Sequence, residues 1–511
     1  MTGSLKDQPW GLQVAECAVR KCCPHRCVNR RAWHQGGILA LTYLAYMCYH
    51  MTRKPISVVK NVLSLNCSNL SPPPNFLINS SNRDTWCDWA PFGKHNAPAL
   101  LGMLDSAFLF AYAAAMFLSG KSKSTILSYI WHLVVFRFGS VFQTSGWPGV
   151  VTVVGNWFGR GKRGLIFGIW NSHTSLGNIL GSLIAAEFVE SDWGLSFMIP
   201  GAAMGFAGFT IFLFLAPNPI DMGCVPPVSR RYRKIDASHS SDEGISGDDS
   251  ENLYHDGDDR LIYRCVYRDQ VDVDDLANAQ SETRPILPRY RHGPGHHRRG
   301  YAVGFIGAMR IPGVIEYSLS LFFAKLVSYT FLYWLPLYIA ASTTYGATLS
   351  ADVSTLFDVG GIAGAIAAGV LSDYSGMSAL TCAIMLGFAV PVVCYEYIFS
   401  GLGINIVLLL IAGVLVNGPY ALITTAVSAE LGTHPSLGDN SKALATVTAI
   451  IDGTGSIGAA VGPLLAGLVS RWAGWHNVFY MLMIADMLAL LLLSRLVYRD
   501  VQIFIQRRRT V

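Results

Sequence analysis

Apolar stretches of twenty or more residues recur along this chain, and that recurrence restricts the fold more than any other feature of the sequence. A helix needs about 20 residues to cross a bilayer's hydrocarbon core of roughly 30 Å. The stretches run near 36–59, 98–119, 126–157, 163–186 and 194–216, then near 314–340, 352–371, 378–398, 403–429, 441–469 and 475–497. The expected fold is therefore all-α, a polytopic membrane protein of helical bundles. Composition excludes the alternative of a water-soluble core, since 51% of residues are hydrophobic and 14% charged, against about 25% charged in an ordinary soluble domain. A formal charge of +5 is small for 511 residues, and the basic residues sit in short clusters beside the spans. That is the pattern of cytosolic loop anchoring, not of a nucleic-acid surface.

Charge placement orders the segments. Residues 1–35 are polar and basic, with Lys21, Arg26, Arg30 and Arg31 close to the first span, so they are read as a cytosolic tail with no cleavable signal. Cys17, Cys22, Cys23 and Cys27 lie in that tail, where reducing conditions oppose disulfides, and they lack the second clean pair that a zinc site requires. Residues 36–216 form the expected amino-terminal bundle. Residues 217–302, with an acidic run over 242–259 and a basic run over 284–299, are read as a disordered cytosolic linker. A carboxyl-terminal bundle is expected over 303–497 and a second cytosolic tail over 498–511. Within the first bundle, residues 60–97 are read as a luminal loop, because Asn66, Asn69 and Asn79 each begin an Asn-X-Ser glycosylation acceptor. Cys67 and Cys87 share that loop, and an oxidising lumen would permit them to pair.

A faint internal repeat links the two bundles. Gly146-Trp147-Pro148 is echoed by Asn417-Gly418-Pro419, and the stretch 176–183 by 456–463, each of the latter two carrying G-x-x-x-G. Two similar bundles with small residues at close helix contacts suit alternating access.

Several segments carry a closer resemblance. They are Tyr49-His50-Met51-Thr52-Arg53-Lys54-Pro55, Gly146-Trp147-Pro148, Trp170-Asn171-Ser172-His173, the run 324–336 containing Lys325 and Tyr329, Phe357-Asp358-Val359-Gly360-Gly361 and Ile451-Asp452-Gly453. In these the chain resembles the sugar-phosphate exchangers, the eukaryotic members of the organophosphate:phosphate antiporter branch of the major facilitator superfamily. The resemblance implies a twelve-helix fold, a site between the two halves, and exchange of a sugar phosphate, foremost glucose 6-phosphate, for inorganic phosphate. It also implies an endoplasmic reticulum address, without any metal, cofactor or enzyme chemistry. Against the family pattern, a loop and most of the third helix have no counterpart between Gly120 and about Ile130. Topology agrees, because Lys121 and Lys123 on one side and Arg160, Lys162 and Arg163 on the other both read as cytosolic with one span between them. One amino-terminal-half helix is therefore expected to be missing, and a non-transporting form or scaffold stays open as an alternative.

A phosphate ester brings about two negative charges, and stripping its water calls for fixed cations that donate several hydrogen bonds. An arginine within a span costs about 2.5–3.5 kcal/mol on insertion scales, so Arg53 needs either a function or a route to water. Length alone leaves an interfacial anchor open; the resemblance makes Arg53 the phosphate ligand, with Lys54 a weaker candidate. On the first helix of the second half, the family's arginine register falls on Ser328, and Lys325 one turn earlier is the candidate cation. His173 lies near a binding-site histidine of the bacterial relatives and, being able to titrate near neutral pH, is a candidate ligand. Tyr329 is a further substrate contact, Tyr112, Tyr333, Trp334 and Asn417 are cavity candidates, and Asp373 in Gly369-Val370-Leu371-Ser372-Asp373 is a gate candidate. Asp358 and Asp452 are acids in small-residue helices, expected to pair or cap. A proton-coupled carrier using one of them is the remaining alternative.

Overall fold

A computed structural model describes residues 9–15, 30–63, 97–119, 147, 149–150, 153–154, 156–158, 163–219, 222, 224, 305–393, 402–432 and 441–509. The described secondary structure is helical: α1 (Arg30–Arg53), α2 (Pro55–Leu63), α3 (Ala97–Ser119), α4 (Arg163–Phe188), α5 (Leu195–Phe214), α6 (Val314–Ser342), α7 (Ala347–Ser375), α8 (Ser378–Val393), α9 (Leu402–Leu422), α10 (Ser441–Ala473) and α11 (Trp475–Arg509). Seven of the described helices are long and apolar enough to cross a membrane. On α5, Phe206 and Phe209 are 69% and 60% exposed, a face that only lipid or another apolar surface covers without cost. Helix α11 continues through Arg509, past the limit expected from hydropathy at residue 497. Apolarity stops where the bilayer stops, whereas helix propensity does not.

The described residues fall into two compact units. In one, comprising Met1–Leu41, Val153–Gly159 and Phe212–Tyr301, Trp157 packs with Ile38, Ala216 and Met222 and donates its indole N–H to the Ala216 carbonyl at 3.1 Å. The other unit, Thr42–Thr152, Arg160–Ile211 and Ala302–Val511, holds every interaction that follows. The glycosylation acceptors, Cys67 and Cys87, the linker segment 225–304 and the stretch 120–146, where a helix is expected to be missing, lie outside the described residues.

The G-x-x-x-G pairs have equivalent jobs in the two halves. A Cβ on Gly177 or Gly181 of α4 would meet the backbone of Met47 or Met51 in α1; one on Gly458 or Gly462 of α10 would meet that of Phe322 or Leu326 in α6. Each pair lets a helix seat directly on the first helix of its half, the close approach that small residues permit. The helices bearing Arg53 and Lys325 are thus held alike.

Between α1 and α2 the helix breaks at Lys54. Pro55 is the cause, since its ring carries no N–H and clashes with the carbonyl four residues earlier. The chain resumes at once, with the Ser57 N–H donating to the Lys54 carbonyl at 2.9 Å. Lys60, the first residue of the expected luminal loop, is fully buried in α2, which runs to Leu63. An apolar count that stops at Lys60 cannot see the carboxylate that neutralises it.

Candidate functional site

Across the two halves, α4 runs along α7 and α3 along α10. At one end of the first pair the Leu165 N–H donates to Asp373 Oδ2 at 2.7 Å; at the other, Thr348 Oγ1 meets the Ala186 carbonyl at 3.4 Å. In the second pair, Ser106 Oγ donates to the Ala460 carbonyl at 2.7 Å, and a Cβ on Gly102 would stand 2.9 Å from the Pro463 carbonyl oxygen. Asp373, expected as a gate residue, therefore caps the start of a helix in the opposite half.

Midway along α4 and α7 these helices leave a cleft. His50, Asn171, Thr174, Ser175 and Asn178 line it from the amino-terminal half; Ser328, Tyr329, Asp358, Asn417 and Tyr420 are among those lining it from the other. The cavity is small, with room for about one water.

Among the described residues, Arg53, Lys54, Lys60 and Lys325 are buried cations around this region, and carboxylates meet Lys54, Lys60 and Lys325. Lys54 Nζ lies 3.7 Å from Asp358 Oδ2 and donates to the Leu332 carbonyl at 3.1 Å, bridging from the break in α1 to the second half. The other oxygen of Asp358 accepts from Asn178 Nδ2 at 2.9 Å. Lys325 donates to Asp452 Oδ1 at 2.5 Å and sits over the Tyr420 ring. Lys60 pairs with Asp105, donates to the Tyr333 carbonyl at 3.2 Å and lies 4.3 Å from the Trp334 ring centroid. The two acids singled out in the sequence are thus paired, as expected. Asp105 escaped notice, although an acid inside an apolar span is the signal that marks such groups.

Arg53, the last residue of α1, is buried with its guanidinium carbon 4.7 Å from the Tyr112 ring centroid and 5.6 Å from that of Phe108. Tyr329 and Tyr333 of α6 lie within its electrostatic reach. One turn earlier on the same helix, His50 faces the cleft. The arginine is consequently held against aromatic faces at the meeting of the halves, a cation–π setting.

Other sequence candidates divide. Tyr329 and Asn417 line the cleft, with Ser328 Oγ donating to Asn417 Oδ1 at 2.7 Å. A π-helical turn at Ile423–Val427 follows, as such turns often do near functional residues. Trp334 instead donates to the Pro463 carbonyl at 3.1 Å. His173 is fully buried in an aromatic cluster, edge-on to Trp170 at 4.5 Å and near Tyr46 and Trp147. It is His50, carried in a family motif but given no role there, that reaches the cleft.

Among known proteins, the Major Facilitator Superfamily profile matches residues 92–436 and 317–503. The glucose-6-phosphate exchanger SLC37A2 of Mus musculus is 50% identical over 506 aligned positions, covering 93% of this chain and 94% of that protein. Its Homo sapiens counterpart is 49% identical over 510 positions, with 93% and 94% covered. The Mus musculus glucose-6-phosphate exchanger SLC37A1 is 45% identical over 521 positions, covering 92% and 94%. In the first of these alignments, 93% of 511 residues is about 475. About 31 of the 506 positions are therefore ones where the mouse protein has a residue and this chain has none. Among solved structures, a bacterial homolog of the human lysosomal transporter Spinster aligns at 14% identity and TM-score 0.46, covering 93% of this chain and 98% of that one, too distant a likeness to decide anything further.

Proposed function

This chain belongs to the Major Facilitator Superfamily and, within it, to the glucose-6-phosphate exchanger family, and from that membership we propose that it exchanges glucose 6-phosphate for inorganic phosphate across the endoplasmic reticulum membrane by alternating access. The observation that carries this reading is Arg53, a buried arginine at a broken helix end beside the cleft between the halves. Its guanidinium supplies planar paired donors to a phosphate dianion. Lys54 and Lys325 supply further positive charge, each held by a carboxylate that an arriving phosphate competes with. Alternation moves α3 against α10 and α4 against α7, the contacts that close the cleft. Both termini are cytosolic on this reading, by the same positive-inside argument that orients the first span.

Reconstituted, phosphate-loaded proteoliposomes test it directly. Labelled glucose 6-phosphate should enter only when phosphate is inside, and an imposed proton gradient should not replace the counter-ion. The rival reading is a form that folds without transporting. Absence of all exchange from correctly folded protein would establish that rival.

The orientation has its own test. Asn66, Asn69 or Asn79 should carry glycan, seen as a gel shift that a glycosidase removes. Labelling of Cys67 or Cys87 by an impermeant reagent from the cytosolic side would reverse the topology.

A further inference from the structure

The cleft is lined mainly by neutral groups, whereas a phosphate calls for cations. On α4, Asn171, Thr174, Ser175 and Asn178 fall at i, i+3, i+4 and i+7, one face of a helix, and all four are more than nine-tenths buried. Asn417 faces them from the other half, and the Cβ that Gly361 lacks would meet both Ser175 Oγ and Asn417 Nδ2, so these polar groups converge on one small volume. In the lining, Asn171 Oδ1 is buried without a hydrogen-bond partner. A buried polar atom left without a partner costs about 1–3 kcal/mol, and a native site carries that cost where a ligand or water completes it. Asn178 is tied through its amide nitrogen to Asp358. Asn171 lines this space at 3% exposure, and its carboxamide oxygen has no hydrogen-bond partner.

We propose that the Asn171, Thr174 and Ser175 face of α4, with Asn417 opposite, is a subsite for the hydroxyl groups of the sugar ring. It is separate from the cationic group at Arg53, and it sets how well a sugar phosphate competes with inorganic phosphate. The proposal rests on the exchange reading and adds to it a division of labour. His50 and Arg53 are three residues apart on α1, about 4.5 Å along the helix axis, so an ester anchored at Arg53 places its ring against the neutral face. Hydroxyls both donate and accept, which matches amide and hydroxyl groups better than it matches ammonium groups.

The test uses the full chain in phosphate-loaded proteoliposomes and two labelled substrates side by side, glucose 6-phosphate and inorganic phosphate. Asn171→Ala removes the carboxamide, and Asn171→Leu removes it while keeping volume. Both should raise the KM for glucose 6-phosphate by about three- to tenfold, the loss of one neutral hydrogen bond, while phosphate self-exchange and thermal melting stay at parental values. Equal loss of both activities in the two variants, or no change in either, overturns the subsite. If the unaltered chain carries out no phosphate self-exchange, the exchange reading itself falls, and the subsite with it.

Discussion

Arg53→Lys will weaken phosphate exchange by about ten- to a hundredfold, although it preserves the charge. One charge-assisted hydrogen bond is worth roughly 1.5–3 kcal/mol, and lysine presents a point charge where arginine presents a planar fork. The aromatic setting sharpens the difference. The guanidinium lies over Tyr112 and beside Phe108, a setting suited to a flat, delocalised cation whose donors lie in one plane; an ammonium group has no such division between face and edge. Arg53→Ala will lose at least as much. The measurement is labelled phosphate entering phosphate-loaded proteoliposomes at equal inserted protein, with thermal melting as the check on folding. Near-parental exchange in the lysine variant would make Arg53 an interfacial anchor and remove the phosphate site from this position.

Asp105→Ala will have the largest effect on stability, because it strands Lys60 without its carboxylate at a position closed to water. Both side chains are fully buried, and breaking a buried ion pair by removing one member costs about 3–5 kcal/mol. Lys60 keeps its bond to the Tyr333 carbonyl and its place beside the Trp334 ring, neither of which neutralises a full charge. Folded yield and melting temperature after detergent extraction should both fall sharply. Replacing both members, as Lys60→Met with Asp105→Leu, should recover most of the loss, since a buried pair exchanged for apolar residues of similar volume is often neutral. If the single variant melts like the parent, water reaches Lys60 and the burial described here is wrong.

These two predictions mark where the sequence was legible and where it was not. Arg53 could be found in one dimension, because a cation inside an apolar span is costly enough to stand out against its neighbours. The spans themselves were legible for the same reason: the bilayer imposes one length and one polarity on every crossing, and local composition answers to both. The tight packing of α4 and α10 was anticipated by their G-x-x-x-G pairs, though not which helices they would seat against.

The pairings were beyond reach. Lys54 and Asp358 lie 304 positions apart, Lys325 and Asp452 127, and Lys60 and Asp105 45, and nothing in a linear pattern says which buried acid serves which buried lysine. His173 and His50 show the same limit, since both occur in family motifs and only the packing of Trp170, Tyr46 and Trp147 decides that the first is enclosed by rings while the second reaches the cleft. By itself, then, the sequence determined a helical membrane protein in two related halves with an arginine late in its first apolar span, because insertion into lipid is governed residue by residue. Only the tertiary structure decided which charges are neutralised and which polar groups share the cleft, because neutralisation and hydrogen bonding act over a few ångströms between segments that the chain order leaves far apart.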